Sequence, residues 1–169
     1  MVPMFEVLGG LLIGTAVSGV VPVLNAELLV VGAVVAAPHI SIPAIALVSA
    51  TGQMLTKTAL FLMARLAPHR LKGSPKARAA LDRAEKAVAA RGGTAGSLVF
   101  ASALTGLPPF FGVSLAAGAV GMRLRSFLAT GGIGRLVRFA VIAWVAREVG
   151  GEALDLLASI SPLSETAGG

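Results

Sequence analysis

Cysteine is absent from the 169 residues. With it go any disulfide, any thiolate metal site and any inference about redox compartment. Only two histidines occur. His39 and His69 stand beside Pro38 and Pro68 at the ends of apolar blocks, where they read as interfacial turn residues rather than catalysts. Only eight residues are acidic. No acidic cluster falls inside an apolar block, so nothing there could hold Mg²⁺. An enzyme acting on lipid phosphates needs a nucleophile and base or metal ligands, so these readings of the histidines and acids argue against one. No cofactor is implied. Met1-Val2-Pro3-Met4-Phe5-Glu6 carries no Lys or Arg for an n-region, which argues against a secretory signal. Gly9-Gly10-Gly14 and Gly112-Gly118-Gly121 are not nucleotide loops, because no Lys-Ser/Thr follows and no strand precedes. They read as small-residue contact faces between helices.

What is present is apolar. The chain is 56% hydrophobic and 13% charged, with mean hydropathy +0.87. Soluble domains hold about 45–50% apolar and about 25% charged residues. The length fits one domain. The reading is a single all-α integral membrane domain over residues 1–169. The net charge is +6, and residues 65–91 supply all of it: eight basic residues from Arg65 to Arg91 against Asp82 and Glu85. No aromatics interleave there for base stacking. The segment reads as a cytoplasmic loop under the positive-inside rule, not as a nucleic-acid surface.

Four apolar blocks follow from the pattern. Residues 41–66 and 124–149 are each long enough for a spanning helix of about 20 residues. Residues 5–37 and 94–122 are long too, but Pro22 cuts the first and Pro108-Pro109 cut the second into arms too short to cross. Both are expected to be re-entrant hairpins with those prolines at the tips, tolerated where protein or water covers the broken backbone. Two ordinary spans joined by a tight turn remain open for the first. Residues 67–93 hold the basic loop, with Ser74-Pro75 starting a surface amphipathic helix over 75–90. Residues 150–169 form a polar tail, a short helix and then disorder. The order is hairpin, span, surface helix, hairpin, span. Its two halves have opposite orientation, an inverted repeat whose interrupted segments point to a binding site near the midplane.

Few ionisable residues lie deep in these blocks: Glu27, Lys57, Arg135 and Arg138. Each costs roughly 2.5–3.5 kcal/mol at a helix centre. Ser49, Gln53 and Lys57 form a polar stripe at i, i+4, i+8, and Gly131, Arg135 and Arg138 share a face. Three cations against one carboxylate leave +2, where a structural network should be near neutral. The expected guest is an anion, which broken-helix tips also favour. A phosphate suits paired arginines. Asn25 is expected to bond freed backbone at the first tip. Glu27 is expected either to pair with an arginine in the empty site or to take a proton. The candidate binding set is Glu27, Asn25, Gln53, Lys57, Arg135 and Arg138. Trp144 and Arg147 read as interface anchors, and Phe110 and Phe111 as a cap on the second hairpin.

Four stretches resemble the DedA family, also called the VTT or SNARE-associated Golgi domain family. S-G-V-V-P-V-L-N-A-E (18–27) is similar to its first re-entrant motif, and G-Q-M-L-T-K (52–57) to the start of the helix after it. G-L-P-P-F-F-G-V-S-L-A-A-G-A-V-G-M (106–122) is similar to the second re-entrant motif. G-R-L-V-R-F (134–139) resembles the short YqaA-like branch. Longer members carry an arginine near the P-P position, and residues 103–112 hold none. The resemblance implies a multi-pass protein of the bacterial inner membrane that moves lipids. Bacterial members are linked to undecaprenyl phosphate recycling and to the proton-motive force, and eukaryotic relatives scramble phospholipids. By position, Glu27 matches the acidic residue of the first motif, and Arg135 and Arg138 match the arginines after the second.

The expected function is therefore a flippase- or scramblase-like transporter for an anionic, phosphate-bearing lipid. Its partners would be the lipid head group, membrane lipids and, as candidates, protons and a second copy of the chain. A small-solute or proton antiporter using Glu27 is the first alternative. A non-transporting scaffold is the second.

Overall fold

Apolar runs interrupted by proline and glycine predict helices of two lengths, and a computed structural model of the chain has both. It describes residues 3–21, 25–66 and 94–160, side chains as far as residue 150, and isolated positions between 75 and 86. The expected tip residue Pro22 and the surface helix over 75–90 lie outside the described residues or are covered only in part.

Six helices are described: α1 Met4–Ser18, α2 Ala26–Ala36, α3 Ile42–Leu66, α4 Ala95–Thr105, α5 Phe110–Ala119 and α6 Leu124–Ile160. There is no strand among the described residues. α3 and the Leu124–Gly150 stretch of α6 are long and apolar enough to cross a membrane. The other four have 15, 11, 11 and 10 residues. At about 1.5 Å per residue the 11-residue helices reach roughly 16 Å, half of a hydrocarbon layer about 30 Å thick. α6 does not stop at Gly150 but runs on to Ile160. The first proline beyond is Pro162, so no ring interrupts the ladder at the glycine pair.

Local chemistry sets the boundaries. Asn25 caps α2, its side chain accepting from the Glu27 N–H at 2.9 Å. Thr94 caps α4 by accepting from Ser97 N–H at 3.3 Å. α4 ends at Gly106, whose φ of 82° suits glycine. Pro109 then opens α5.

Packing is reciprocal. α1 lies on α3 and α4 on α6, while α2 crosses to α6 and α5 crosses to α3. The contacts recur at matched positions. Arg65 of α3 donates to Met122 O, and Arg147 of α6 donates to Ile40 O. Both donors and both acceptors are 82 residues apart. Gly52, against Leu12, Thr15 and Ala16 of α1, is matched at the same offset by Gly134, against Phe100, Ala103 and Leu104 of α4. Thr56 Oγ1 donates to Ala16 O at 2.6 Å, and Arg138 Nη1 donates to Leu104 O at 2.8 Å. Each long helix thus ends beside the start of the other, so α3 and α6 run antiparallel.

Large apolar side chains face outward, and a few polar ones lie inside an otherwise apolar interior. Phe5, Ile13, Leu28, Leu47, Leu55 and Trp144 are exposed, whereas Thr15, Ser49, Gln53, Lys57, Ser102, Ser114 and Arg135 are buried. The buried hydroxyls are satisfied within the fold. Thr15, Ser49 and Ser114 donate to carbonyls one turn back, and Ser102 to Pro108 O at 2.5 Å. Two larger apolar clusters and a small one of Leu60, Ala64 and Leu115 divide the rest. Of the larger two, one gathers Val30, Val34, Ile45 and Phe139, and the other Phe61, Val99, Phe110 and Phe127. Along α3 the first cluster gives way to the second near Gln53, and along α6 the order reverses near Arg135. The polar residues sit where the two cores meet.

Candidate functional site

At that junction lies a polar cavity of about 270 Å³, bordered by Ser18, Asn25, Ala26, Glu27, Gln53, Lys57, Pro109, Phe110, Phe111 and Arg135. Five of the six residues expected to bind a guest meet here: Asn25, Glu27, Gln53, Lys57 and Arg135. They come from α3, α6 and the start of α2, and Pro109 adds the start of α5.

Arg138 is the sixth, and it is already engaged. Its Nε and Nη2 donate to Glu27 Oε1, and its Nη1 donates to Leu104 O. This guanidinium ties the start of α2 to the end of α4. The expected Glu27–arginine pair therefore forms with Arg138. Arg135 and Arg138 share a helix face, but α2 presents its carboxylate to the later one.

Arg135 is in a different position. It is 8% exposed, its Nε is buried without a partner, and its guanidinium makes no hydrogen bond among the described residues. It rests on the Phe110 ring, 4.8 Å from the centroid, with Phe139 at 6.0 Å. Cation–π contact positions the charge and leaves its N–H donors open.

Lys57 is 5% exposed. Its Nζ donates to Gly19 O at 2.7 Å, at the end of α1 where a cation meets the negative helix end. One of its three N–H groups is thereby used. The Phe111 ring lies 5.7 Å away. Gln53 donates through Nε2 to Ser18 Oγ at 3.2 Å, and its Oε1 is buried without a donor. No side chain caps α5, so its first turn adds free N–H groups and a positive end at Pro109.

Chemically, the cavity holds two cations, an open helix N-terminus and one carboxylate committed to Arg138. That arrangement of charge is complementary to an oxyanion. No group of three or more His, Cys, Asp or Glu able to hold a metal occurs among the described residues.

Sequence reasoning did not assign Ser18, Phe110 or Phe111 to the site. The signal for the aromatics was present, since P-P-F-F puts two rings in the first turn after a helix break. Pro108 lies at the turn, its carbonyl taken by Ser102, and does not border the cavity. Arg147, expected as an interface anchor, ties α6 to the α2–α3 connection through Ile40 O at 2.6 Å. A larger groove of about 690 Å³ runs between α3 and α6 past Leu47, Met54, Leu55, Leu62, Leu128 and Ile133. It is apolar, and the Thr51 hydroxyl in it is bonded to Leu47 O.

No protein-family model, no curated protein and no solved structure matches this chain.

Proposed function

We propose that this chain is a multi-pass membrane transporter that carries the head group of an anionic, phosphate-bearing lipid across the bilayer. Arg135 carries the reading. Its Nε is buried without a partner and its guanidinium makes no hydrogen bond among the described residues, a state that is costly to keep unless a guest completes it. Lys57 and the uncapped start of α5 border the same cavity, so the missing partner is an anion. A lipid guest suits a small cavity, because its tails stay in the bilayer while only the head group enters. The exposed apolar exterior and two long helices favour a membrane setting. The likeness of residues 18–27, 52–57, 106–122 and 134–139 to the DedA family points the same way, toward undecaprenyl phosphate or a similar lipid in a bacterial inner membrane.

In this reading α1–α2 and α4–α5 are re-entrant pairs, and the two trios form an inverted repeat around the site. The Arg65 and Arg147 contacts repeated 82 residues apart, and the Gly52 and Gly134 contacts to α1 and α4, support that symmetry. Glu27 works as the keeper of Arg138, holding the ends of α2 and α4 together between transport events. This role argues against a cation antiporter, whose carboxylate should be free to exchange ions.

The test is head-group translocation in proteoliposomes, with a quenchable polyprenyl phosphate beside a neutral lipid probe. Protein-dependent movement of the phosphate-bearing probe alone, lost in folded Arg135→Ala, is expected. Equal movement of both probes would replace the reading with a non-selective scramblase. Movement of neither would remove lipid transport from consideration.

A further inference from the structure

Among the described residues, Gln53 Oε1 is a buried side-chain acceptor in the cavity wall with no donor, and the cationic donors Lys57 and Arg135 border the same cavity. Turning the amide over would cost Ser18 its hydrogen bond to Thr15 O. Ser18 Oγ spends its hydrogen on Thr15 O at 2.8 Å, so toward Gln53 it can only accept. With that bond kept it meets Nε2, which leaves Oε1 on the other side. A guest made only of acceptor oxygens would satisfy Arg135 and Lys57 and leave Oε1 desolvated and unpaired. An unpaired buried acceptor carries its full desolvation cost.

We infer that Gln53 is a specificity-determining residue that selects an anion bearing its own proton: a phosphate monoester in its singly charged, P–OH form. The inference rests on the anion-binding reading of the cavity and goes beyond it. Two unprotonated oxygens of the monoester take N–H groups from Arg135, Lys57 or the start of α5, and the P–OH donates to Gln53 Oε1. A phosphodiester has the same single charge and no such hydrogen. The cationic groups set the sign of the guest, and Gln53 sets its protonation.

The experiment uses the full chain in lipid nanodiscs, titrated at about pH 5 with dodecyl phosphate and with its methyl diester. A phosphate monoester has its second pKa near 6, so both ligands carry about one negative charge there. The charged groups around Gln53 are Lys57 on its own helix, Glu27 on α2, and Arg135 and Arg138 on α6. Their ionisation is the same for both ligands at one pH and cancels in the ratio. Wild type is expected to prefer the monoester by about tenfold or more, the effect of orphaning one buried acceptor. Gln53→Leu, which has no acceptor, is expected to bind the two about equally. Equal binding by wild type would overturn the inference and leave the anion site standing. A preference that survives in Gln53→Leu would also overturn it, by assigning selection to the shape of the cavity. Failure of both ligands to bind wild type more tightly than Arg135→Ala would overturn the anion reading itself, and this inference with it. The wild-type comparison needs no variant to fold.

Discussion

Replacing Arg135 by leucine should make the protein more stable and unable to bind its guest. The guanidinium is 8% exposed and has no hydrogen-bond partner among the described residues. Burying an ion costs several kcal/mol even after relaxation. The offset is its contact with Phe110 at 4.8 Å, worth about 2 kcal/mol when desolvated. Leucine loses that contact and leaves part of the arginine's volume unfilled, a further loss of about 1 kcal/mol. The balance favours leucine by roughly 1–3 kcal/mol. For a chain of this size that raises Tm by about 2–10 °C. The assay is thermal unfolding in ligand-free nanodiscs, followed by circular dichroism. A second scan with dodecyl phosphate should raise Tm of the wild type and leave Arg135→Leu unmoved, because only a bound ligand stabilises. A fall of several degrees in the ligand-free variant would refute the reasoning, since it would mean that the native guanidinium has a stabilising partner.

Other consequences follow from the same contacts. Gly134→Ala would put a Cβ 2.7 Å from Ala103 Cβ and 3.0 Å from Phe100 O, so it should cost about 1–3 kcal/mol and lower Tm. Gly132→Ala, two residues away with open space around it, should instead raise Tm slightly, by up to about 1 kcal/mol of helix propensity. Glu27→Gln removes the pairing charge of Arg138. Its carboxylate is 40% exposed, so the stability loss should stay within about 1 kcal/mol. The site's formal charge rises by one, and binding of dodecyl phosphate, read by calorimetry, should tighten. Asn25→Ala should lower stability by about 1 kcal/mol through loss of the α2 cap, with Asn25→Asp restoring it.

The sequence alone carried much of this. Apolar runs of spanning length at 41–66 and 124–149 became α3 and the start of α6. The P-P break put α5 at Phe110, and the N-A-E sequence capped α2 at Asn25, because ring closure and a short amide act over one or two residues. The i, i+4 spacing of Gln53 and Lys57 placed both on one buried face. That cationic groups would gather in an apolar interior was also readable, since nothing in a lipid setting excuses Lys57 or Arg135 otherwise.

What local pattern could not settle was which cation is free. Arg135 and Arg138 lie three residues apart on one helix, and their spacing treats them alike. Their difference comes from other parts of the chain: α2 brings Glu27, from 111 positions away, to Arg138, and α4 brings Leu104 O to the same guanidinium. The same holds for Gln53, whose amide orientation depends on a serine hydroxyl 35 residues earlier. Helices and their ends are fixed by interactions within a turn, which the order of residues records directly. Pairing across the junction of two cores depends on how four short helices cross two long ones, and only the packed structure decides which donor is satisfied and which is left open.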